Sequence, residues 1–559
     1  MKLKIIVLVL GLFCHNALAA SGVATAHPIA TAAGIKMLEL GGNAFDAAIA
    51  ITATLAVVEP ASSGMGGGGF WLLYDADQDK SIMLDGREKA PLAATHDMYL
   101  DEQGNVVPNL SISGALAAGI PGQPAALVWL GKHYGALPLR VSLQPAIDAA
   151  TNGFEVGQRY RKNIEYRIDA INAFSGAAEI FLIDGKVPEI GARIVQNDLA
   201  KTLRTLAVQG HDGFYAGDIA EKLVQGVKQS GGIWSLQDLA EYQVAVRQPV
   251  VVEYNGMTVT SAALPSSGGL VLAESLNILS NYDIESMDDV DFTHVTVEAM
   301  RRAYRDRAEY MGDTDFVEVP TKMLNDRQYA NGLNQSLRMD RATPSAQLAP
   351  TWVDRQNGQD TTHFSVVDDQ GNRVAATLSI NYPFGSGVAP TGTGVLLNDE
   401  MDDFSAKPGQ PNVYGLVGAR ANAIEPGKRM LSSMSPTFLE TANRIAVLGT
   451  PGGSRIISMV LLSALKFHRR ADTHSINQAI AQEIVGRPRY HHQYLPDVIQ
   501  YEPGALSEQT IAALEARGHK FKPVNRKWGN MQVVIVDRDS GEITAASDGR
   551  GEGQAKVLP

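Results

Sequence analysis

Apolar and polar positions divide the chain into a helical opening, a long helical middle and a strand-rich end. Lys2 and Lys4 precede an apolar run from Ile5 to Phe13, and Ala17-Leu18-Ala19 then supplies a small-x-small site. The run is too short for a bilayer span, so residues 1–19 read as a secretory signal peptide. Pro28 to Leu40 predicts a helix stopped by Gly41-Gly42. Asn43 can cap the next helix, with Asp46 three residues on. Its small face, Ala47, Ala50, Ile51, Thr54 and Leu55, suits close packing as far as Val57. The glycine-rich stretch Gly64 to Gly69 leads into a strand from Phe70 to Tyr74, with Ser81 to Asp85 as its hairpin partner.

Residues 115–240 carry a helical pattern, interrupted at Gly153, Gly185 and Gly210. Val250 to Thr260 predicts one strand; Leu270 to Leu279 and Phe292 to Tyr310 predict helices. Residues 340–361 hold Pro344, Pro350 and few apolar anchors, the composition of a linker. Beyond it, His363 to Val367 and Val374 to Ile380 flank a hairpin signal at Asp369-Gln370-Gly371-Asn372. Ile445 to Leu448 predicts a strand, followed by Gly449 to Gly453 and a helix from Ser454. Gln532 to Asp537 and Ile543 to Ala546 form a last hairpin around Asp539-Ser540-Gly541. Strands at both ends with helices between predict an α+β or layered α/β fold.

Composition narrows the function. The 559 residues carry a formal net charge of -12, the opposite of the basic footprint that nucleic-acid binding requires. The one cysteine, Cys14, lies inside the signal peptide. The mature chain therefore has no thiol, no disulfide and no cysteine nucleophile. No other apolar run reaches the length of a membrane helix, so no membrane anchor is expected. The periplasm is the simplest destination, secretion the alternative.

Several familiar motifs fail. Gly64-Met65-Gly66-Gly67-Gly68-Gly69 satisfies G-x-G-x-x-G, but it follows a helix and enters a strand, the reverse of a dinucleotide site. Walker A, G-x-S-x-G and H-E-x-x-H patterns are absent from the sequence. His491 and His492 are adjacent, so in a strand they face opposite sides and read as packing or surface residues.

The chemistry gathers after the linker. The segment Asp360-Thr361-Thr362-His363-Phe364-Ser365-Val366-Val367-Asp368 is followed by Asn381, by Met401-Asp402-Asp403-Phe404-Ser405-Ala406-Lys407-Pro408-Gly409, by Leu431-Ser432-Ser433-Met434-Ser435-Pro436, and by Pro451-Gly452-Gly453-Ser454-Arg455. With Gly86-Arg87-Glu88, Pro265-Ser266-Ser267-Gly268-Gly269, Asp306-Arg307 through Gly312-Asp313 and Arg487-Pro488-Arg489 upstream, this order of motifs resembles the γ-glutamyltranspeptidase family over nearly the whole mature chain.

The resemblance implies a four-layer αββα sandwich of the N-terminal nucleophile hydrolase type. It implies a precursor that cuts itself between Asp360 and Thr361, giving a large subunit of 20–360 and a small subunit of 361–559 that stay together as a heterodimer. Thr361 would then attack the γ-glutamyl amide of glutathione or related compounds and pass the acyl group to water, an amino acid or a peptide. No cofactor or metal is implied. Gly452 and Gly453 would form the oxyanion hole, and Ser379, where relatives generally carry threonine, would support the nucleophile's amine. Arg87, Ser432 and Ser433 would hold the substrate α-carboxylate; Asn381, Glu400 and Asp403 would accept its ammonium; Tyr414 would sit on a lid over the pocket. Met430 replaces a proline common in the family, and the extension before the first helix is short.

The residue chemistry agrees. A threonine hydroxyl needs a neighbouring base, and a freed α-amine, with a reference pKa of about 7.7–8.0, is one. Backbone N–H groups at a strand-to-helix turn can meet a developing oxyanion. Arginine offers a carboxylate two parallel donors. Two other readings compete. A glutaryl or cephalosporin acylase would share nucleophile and self-cleavage, but its acyl group gives Asn381, Glu400 and Asp403 no ammonium to bind. A non-catalytic periplasmic amino-acid-binding protein would need neither Thr361 nor a cut.

Overall fold

In the computed structural model, which describes residues 20–348, 361–407, 418–470 and 477–559, two sheets gather strands from both ends of the chain. The first has the order β13 (Gln554–Leu558), β1 (Ser21–Thr25), β7 (Thr362–Val367), β8 (Arg373–Ser379), β2 (Gly68–Asp75), β3 (Lys80–Gly86) and β4 (Ala245–Arg247). The second has the order β12 (Ile543–Ser547), β11 (Gln532–Asp537), β10 (Arg444–Gly449), β9 (Thr437–Glu440), β6 (Met257–Ser261) and β5 (Val250–Tyr254). Neighbouring strands in both run antiparallel. The signal peptide, Asp360, the rest of 349–360 and Tyr414 lie outside the described residues.

The period of two along β7 and β8 explains how the first sheet is buried on both faces. Phe364, Val366, Val374, Ala376 and Leu378 share one apolar cluster with the helices α1 (Pro28–Glu39) and α2 (Ala44–Val58). The alternate residues Val367 and Ala375, with Phe70, Leu72 and Ala24, share another with Phe438, Val447 and Val533 of the second sheet. That second cluster also takes in residues of α3 (Gly268–Leu279), α4 (Asp289–Tyr310) and α5 (Ile456–Arg470). On the inter-sheet face, polar residues pair with one another. His363 Nδ1 lies 2.8 Å from Thr377 Oγ1 and its Nε2 lies 3.2 Å from Ser365 Oγ. Burial pushes His363 down to about 3, so the ring is neutral.

Local signals account for the element boundaries. Asn43 Oδ1 accepts from Asp46 N at 3.0 Å while Asp46 Oδ2 accepts from Asn43 N at 3.1 Å, a capping box at the start of α2. The expected single strand Val250–Thr260 is instead the β5–β6 hairpin, because Asn255 and Gly256 turn with φ of 46° and 84°. Asn-Gly is the favoured pair for such a two-residue turn, since both positions need positive φ. The helix expected from Ser454 begins as a single 3₁₀ turn at Gly453–Arg455 and becomes α5 at Ile456. The fold class is α+β. No helix among the described residues is long and apolar enough to cross a membrane.

Candidate active site

Both sheets end at the same place, and the candidate residues stand there. Thr361 immediately precedes β7, whose residue Thr362 pairs with Leu378 of β8. Continued by one residue, that register brings Thr361 beside Ser379, and by the parity of the strands both side chains lie on the inter-sheet face. The next side chain, Thr362, is tied down: its Oγ1 donates to Glu59 Oε2 at 2.7 Å. From β8 the chain turns sharply at Asn381, which has φ of 71° and whose N–H donates to Ser379 Oγ at 2.7 Å. The Asn381 amide donates to the carbonyl of Asp399 at 3.0 Å, joining this corner to the short turn that carries Glu400 and Asp403. The glycine-rich stretch before β2 lies against the same corner. A Cβ on Gly67 would sit 2.2 Å from the Ser379 carbonyl, so the glycines here serve close backbone packing.

Arg87 directly follows β3 and is fully buried; the Tyr242 hydroxyl donates to its carbonyl at 2.7 Å. Ser432 and Ser433 lie in the segment that enters β9. Ser432 is held by its N–H on the Pro265 carbonyl at 2.8 Å and by the Ser267 hydroxyl donating to its own carbonyl at 2.7 Å. Gly452 and Gly453 follow β10 with φ of 141° and 57°, conformations that a side chain would strain. Thr361, Ser379, Asn381, Glu400, Asp403, Arg87, Ser432, Ser433 and Gly453 all line one cleft of ≈ 300 Å³; Gly452 lines the adjoining cleft. Among the described residues no group of His, Cys, Asp and Glu is arranged to hold a metal ion. His491 and His492 are buried against Ser458, Gln493 and Asp497, in line with packing roles.

Charge in the cleft is not divided as the separate binding roles would suggest. The Arg87 guanidinium lies 2.8 Å from Glu400, 2.5 Å from Asp403 and 3.6 Å from Glu88. One cation thus faces three carboxyl groups in a buried space. Burial alone would lower the Arg87 pKa, but Glu400, Asp403 and Glu88 together hold it above the ordinary value. Burial pushes Glu400 up to about 7 despite Arg87, and pushes Glu88 well above the carboxylate range.

Sequence reasoning assigned no role to Arg307. It projects from α4 into the cleft, and its guanidinium donates to Ser267 Oγ at 2.9 Å and Ser433 Oγ at 3.2 Å. Among the described residues no carboxylate lies within ion-pairing distance of it, and burial lowers its pKa to about 10. Asp306-Arg307 is one of the motifs of the resemblance but carried no role of its own; the signal that could have found one is an arginine on the buried stripe of α4, where Met300, Ala303 and Tyr304 also lie.

A family model described as gamma-glutamyltranspeptidase matches residues 30–558. A glutathione hydrolase proenzyme of Pseudomonas sp. (strain A14) is 44% identical over 507 residues, covering 89% of this chain and 86% of the relative. The glutathione hydrolase proenzyme of Escherichia coli (strain K12) is 40% identical over 532 residues, covering 94% and 90%. A crystal structure of cephalosporin acylase from Bacillus halodurans superposes with a TM-score of 0.83 at 28% identity, covering 96% of each chain.

Proposed function

The chain belongs to the γ-glutamyltranspeptidase family, and from that premise we propose how its residues divide the work. It is an enzyme that releases the γ-glutamyl group of glutathione-type donors to water or to an amine. It is made as a proenzyme whose two parts remain one molecule. The assignments to individual residues are our reading, as are the cut between Asp360 and Thr361, the αββα layering and a periplasmic location reached through residues 1–19.

In this reading the freed α-amine of Thr361 takes the proton of its own hydroxyl as Oγ1 attacks the γ-carbonyl carbon. The carbonyl oxygen becomes an oxyanion opposite the N–H groups of Gly452 and Gly453. Collapse breaks the C–N bond, the departing amine takes the proton from the ammonium, and a γ-glutamyl ester remains on Thr361. Water or an acceptor amine then attacks the ester, giving its proton to the same α-amine, and the threonine hydroxyl is restored. Ser379, adjacent by register, is within reach of the α-amine. Ser432, Ser433, Arg307 and Arg87 face the substrate α-carboxylate, and Asn381, Glu400 and Asp403 face its ammonium.

One observation carries the choice of a γ-glutamyl group over an acyl group without an amine: the carboxyl groups of Glu400 and Asp403 both line the cleft, 2.8 and 2.5 Å from the Arg87 guanidinium. A substrate ammonium finds acceptors in those two carboxyl groups; a glutaryl or other plain acyl chain gives them nothing to bind. This weighs against the acylase reading that the likeness to cephalosporin acylase keeps open. The test is a gel, N-terminal sequencing and a chromogenic γ-glutamyl anilide assayed with and without glycylglycine. The expected result is two bands, a small fragment beginning Thr-Thr-His-Phe, and turnover stimulated by the acceptor. A single band with no turnover, or preference for a glutaryl anilide, refutes the reading. Thr361→Ala is expected to stay one uncut, inactive chain, because both steps use the same hydroxyl.

A further inference from the structure

Arg487-Pro488-Arg489 is one of the sequence motifs above, yet none of its residues lines the cleft that holds Thr361. Arg489 is committed elsewhere, since its guanidinium pairs with Asp548 at 2.6 Å. Arg487 is not. It follows α6 (Asn477–Gly486) and lines a separate cleft of ≈ 940 Å³ with Lys466 and Arg469 of α5, Glu483 of α6 and Phe292 of α4. Three cations there meet one carboxylate, and that carboxylate is already shared. Glu483 lies 2.7 Å from Lys466 and 3.0 Å from Arg470. Among the described residues neither Arg469 nor Arg487 has a carboxylate within ion-pairing distance.

Both guanidiniums are held in place by the protein. Arg469 stacks on Phe292, 4.4 Å from the ring centroid, and donates to the Ile284 carbonyl; its Nε is buried and has no hydrogen-bond partner. Arg487 donates to the Leu462 carbonyl at 2.7 Å. Burial lowers the Arg487 pKa; Tyr490 opposes that shift and the neighbouring charge of Arg469 adds to it. The negative end of α5 offsets part of the charge, but the cleft wall keeps two positive charges in excess in a chain whose formal net charge is -12. We propose that this cleft binds a phosphate group, free or as a phosphate monoester, between Arg469 and Arg487. The class follows from charge and shape. A phosphate monoester carries about -1.5 to -2 at pH 7, which matches the excess. Its oxygens also suit the planar forks of two arginines. The cleft is larger than a phosphate group, so a small organic remainder has room. Phe292 and Ile284 precede Thr361 in the chain and both arginines follow it, so the bound anion ties the two stretches together. The proposal does not depend on the γ-glutamyl reading.

The experiment is isothermal titration calorimetry of the full chain at fixed ionic strength with two probes, inorganic phosphate and glycerol 3-phosphate. Wild type should bind at least one of them. Arg469→Gln and Arg487→Gln should each weaken binding about tenfold, the loss of a charge-assisted hydrogen bond, and the double variant should lose it. Arg469→Lys and Arg487→Lys keep the charge without the fork and should fall between. Thermal melts without phosphate show which variants fold; where a glutamine variant does not, its lysine counterpart carries the comparison. Tighter binding of glycerol 3-phosphate assigns the site to a monoester, and tighter binding of inorganic phosphate to the free ion. No binding of either probe by wild type at about 10 mM, or unchanged affinity in the arginine variants, overturns the proposal.

Discussion

Replacing Arg87 tests the binding half of the site. In Arg87→Ala the carboxyl groups of Glu400, Asp403 and Glu88 lose the cation that lies within 2.8, 2.5 and 3.6 Å of them. Removing one partner of a buried ion pair costs about 3–5 kcal/mol when the other charge is stranded. Glu400 can take up a proton instead, because burial already holds it at about 7. The net loss near neutral pH is therefore closer to about 2–3 kcal/mol. The sign with pH follows. Arg87 lowers the Glu400 pKa, so without it the folded-state value climbs further above the unfolded one. A carboxyl with a raised folded pKa contributes stability that is present at low pH and lost as pH rises through that value. The melting-temperature difference between Arg87→Ala and wild type should thus be larger at about pH 8 than at about pH 6. Substrate capture should fall in parallel: a charge-assisted hydrogen bond is worth about 1.5–3 kcal/mol, or about ten- to a hundredfold in kcat/KM. Lysine should recover part of the stability and less of the capture, since it cannot offer the planar two-point fork. The assays are thermal melts at both pH values, steady-state kinetics with the γ-glutamyl anilide, and a gel for the two bands. An Arg87→Ala protein that melts like wild type at both pH values and keeps its KM would refute the placement of Arg87 in the charge cluster.

Other substitutions probe separate parts of the site. Glu400→Gln should remove the change in KM centred on Glu400's titration at about 7, where ionisation creates the ammonium acceptor, while the pH dependence of kcat set by the Thr361 amine remains; an unaltered KM profile would count against Glu400 as acceptor. Thr361→Ser should still cut and turn over, more slowly, as read from band ratios over time and anilide rates. Gly449→Ala would place a methyl 2.2 Å from the buried His363 ring, two residues beyond Thr361; it should cost about 1–3 kcal/mol in a melt and slow self-cleavage, and a neutral effect on both would show that the two sheets can part there at no cost.

Local chemistry was legible in the sequence; long-range pairing was not. The capping box at Asn43 and Asp46 and the β7–β8 hairpin around Asp368–Asn372 depend on neighbours a few residues away, and they stand where expected. The β5–β6 hairpin was missed although Asn255-Gly256 announces it, because the apolar run on either side was read as continuous. Of the residues singled out by the resemblance, all but Gly452, which lines the adjoining cleft, and Asp360 and Tyr414, which lie outside the described residues, line one cleft; the contact of Arg87 with Glu400 and Asp403 joins positions more than 300 residues apart, which no spacing rule reaches. Arg307 was hidden for a related reason. A charged residue on a long helix reads as solvent-facing until α4 is seen to be packed nearly all round.

The strand order of the first sheet bears on how such a molecule could be built. β1, the first strand of the described chain, is enclosed by β13 and β7, and Ser21 pairs with Leu558. The first and last strands of the described chain therefore lie side by side, as the two arms of a hairpin that has no turn. A short Asn-Gly-type connector could close that hairpin, and the gene could then be opened at residue 361. The rearranged chain would emerge from synthesis with Thr361 already terminal once its initiator methionine is removed. The maturation cut and the turnover chemistry, which the proposed mechanism asks of a single hydroxyl, would become separate design variables.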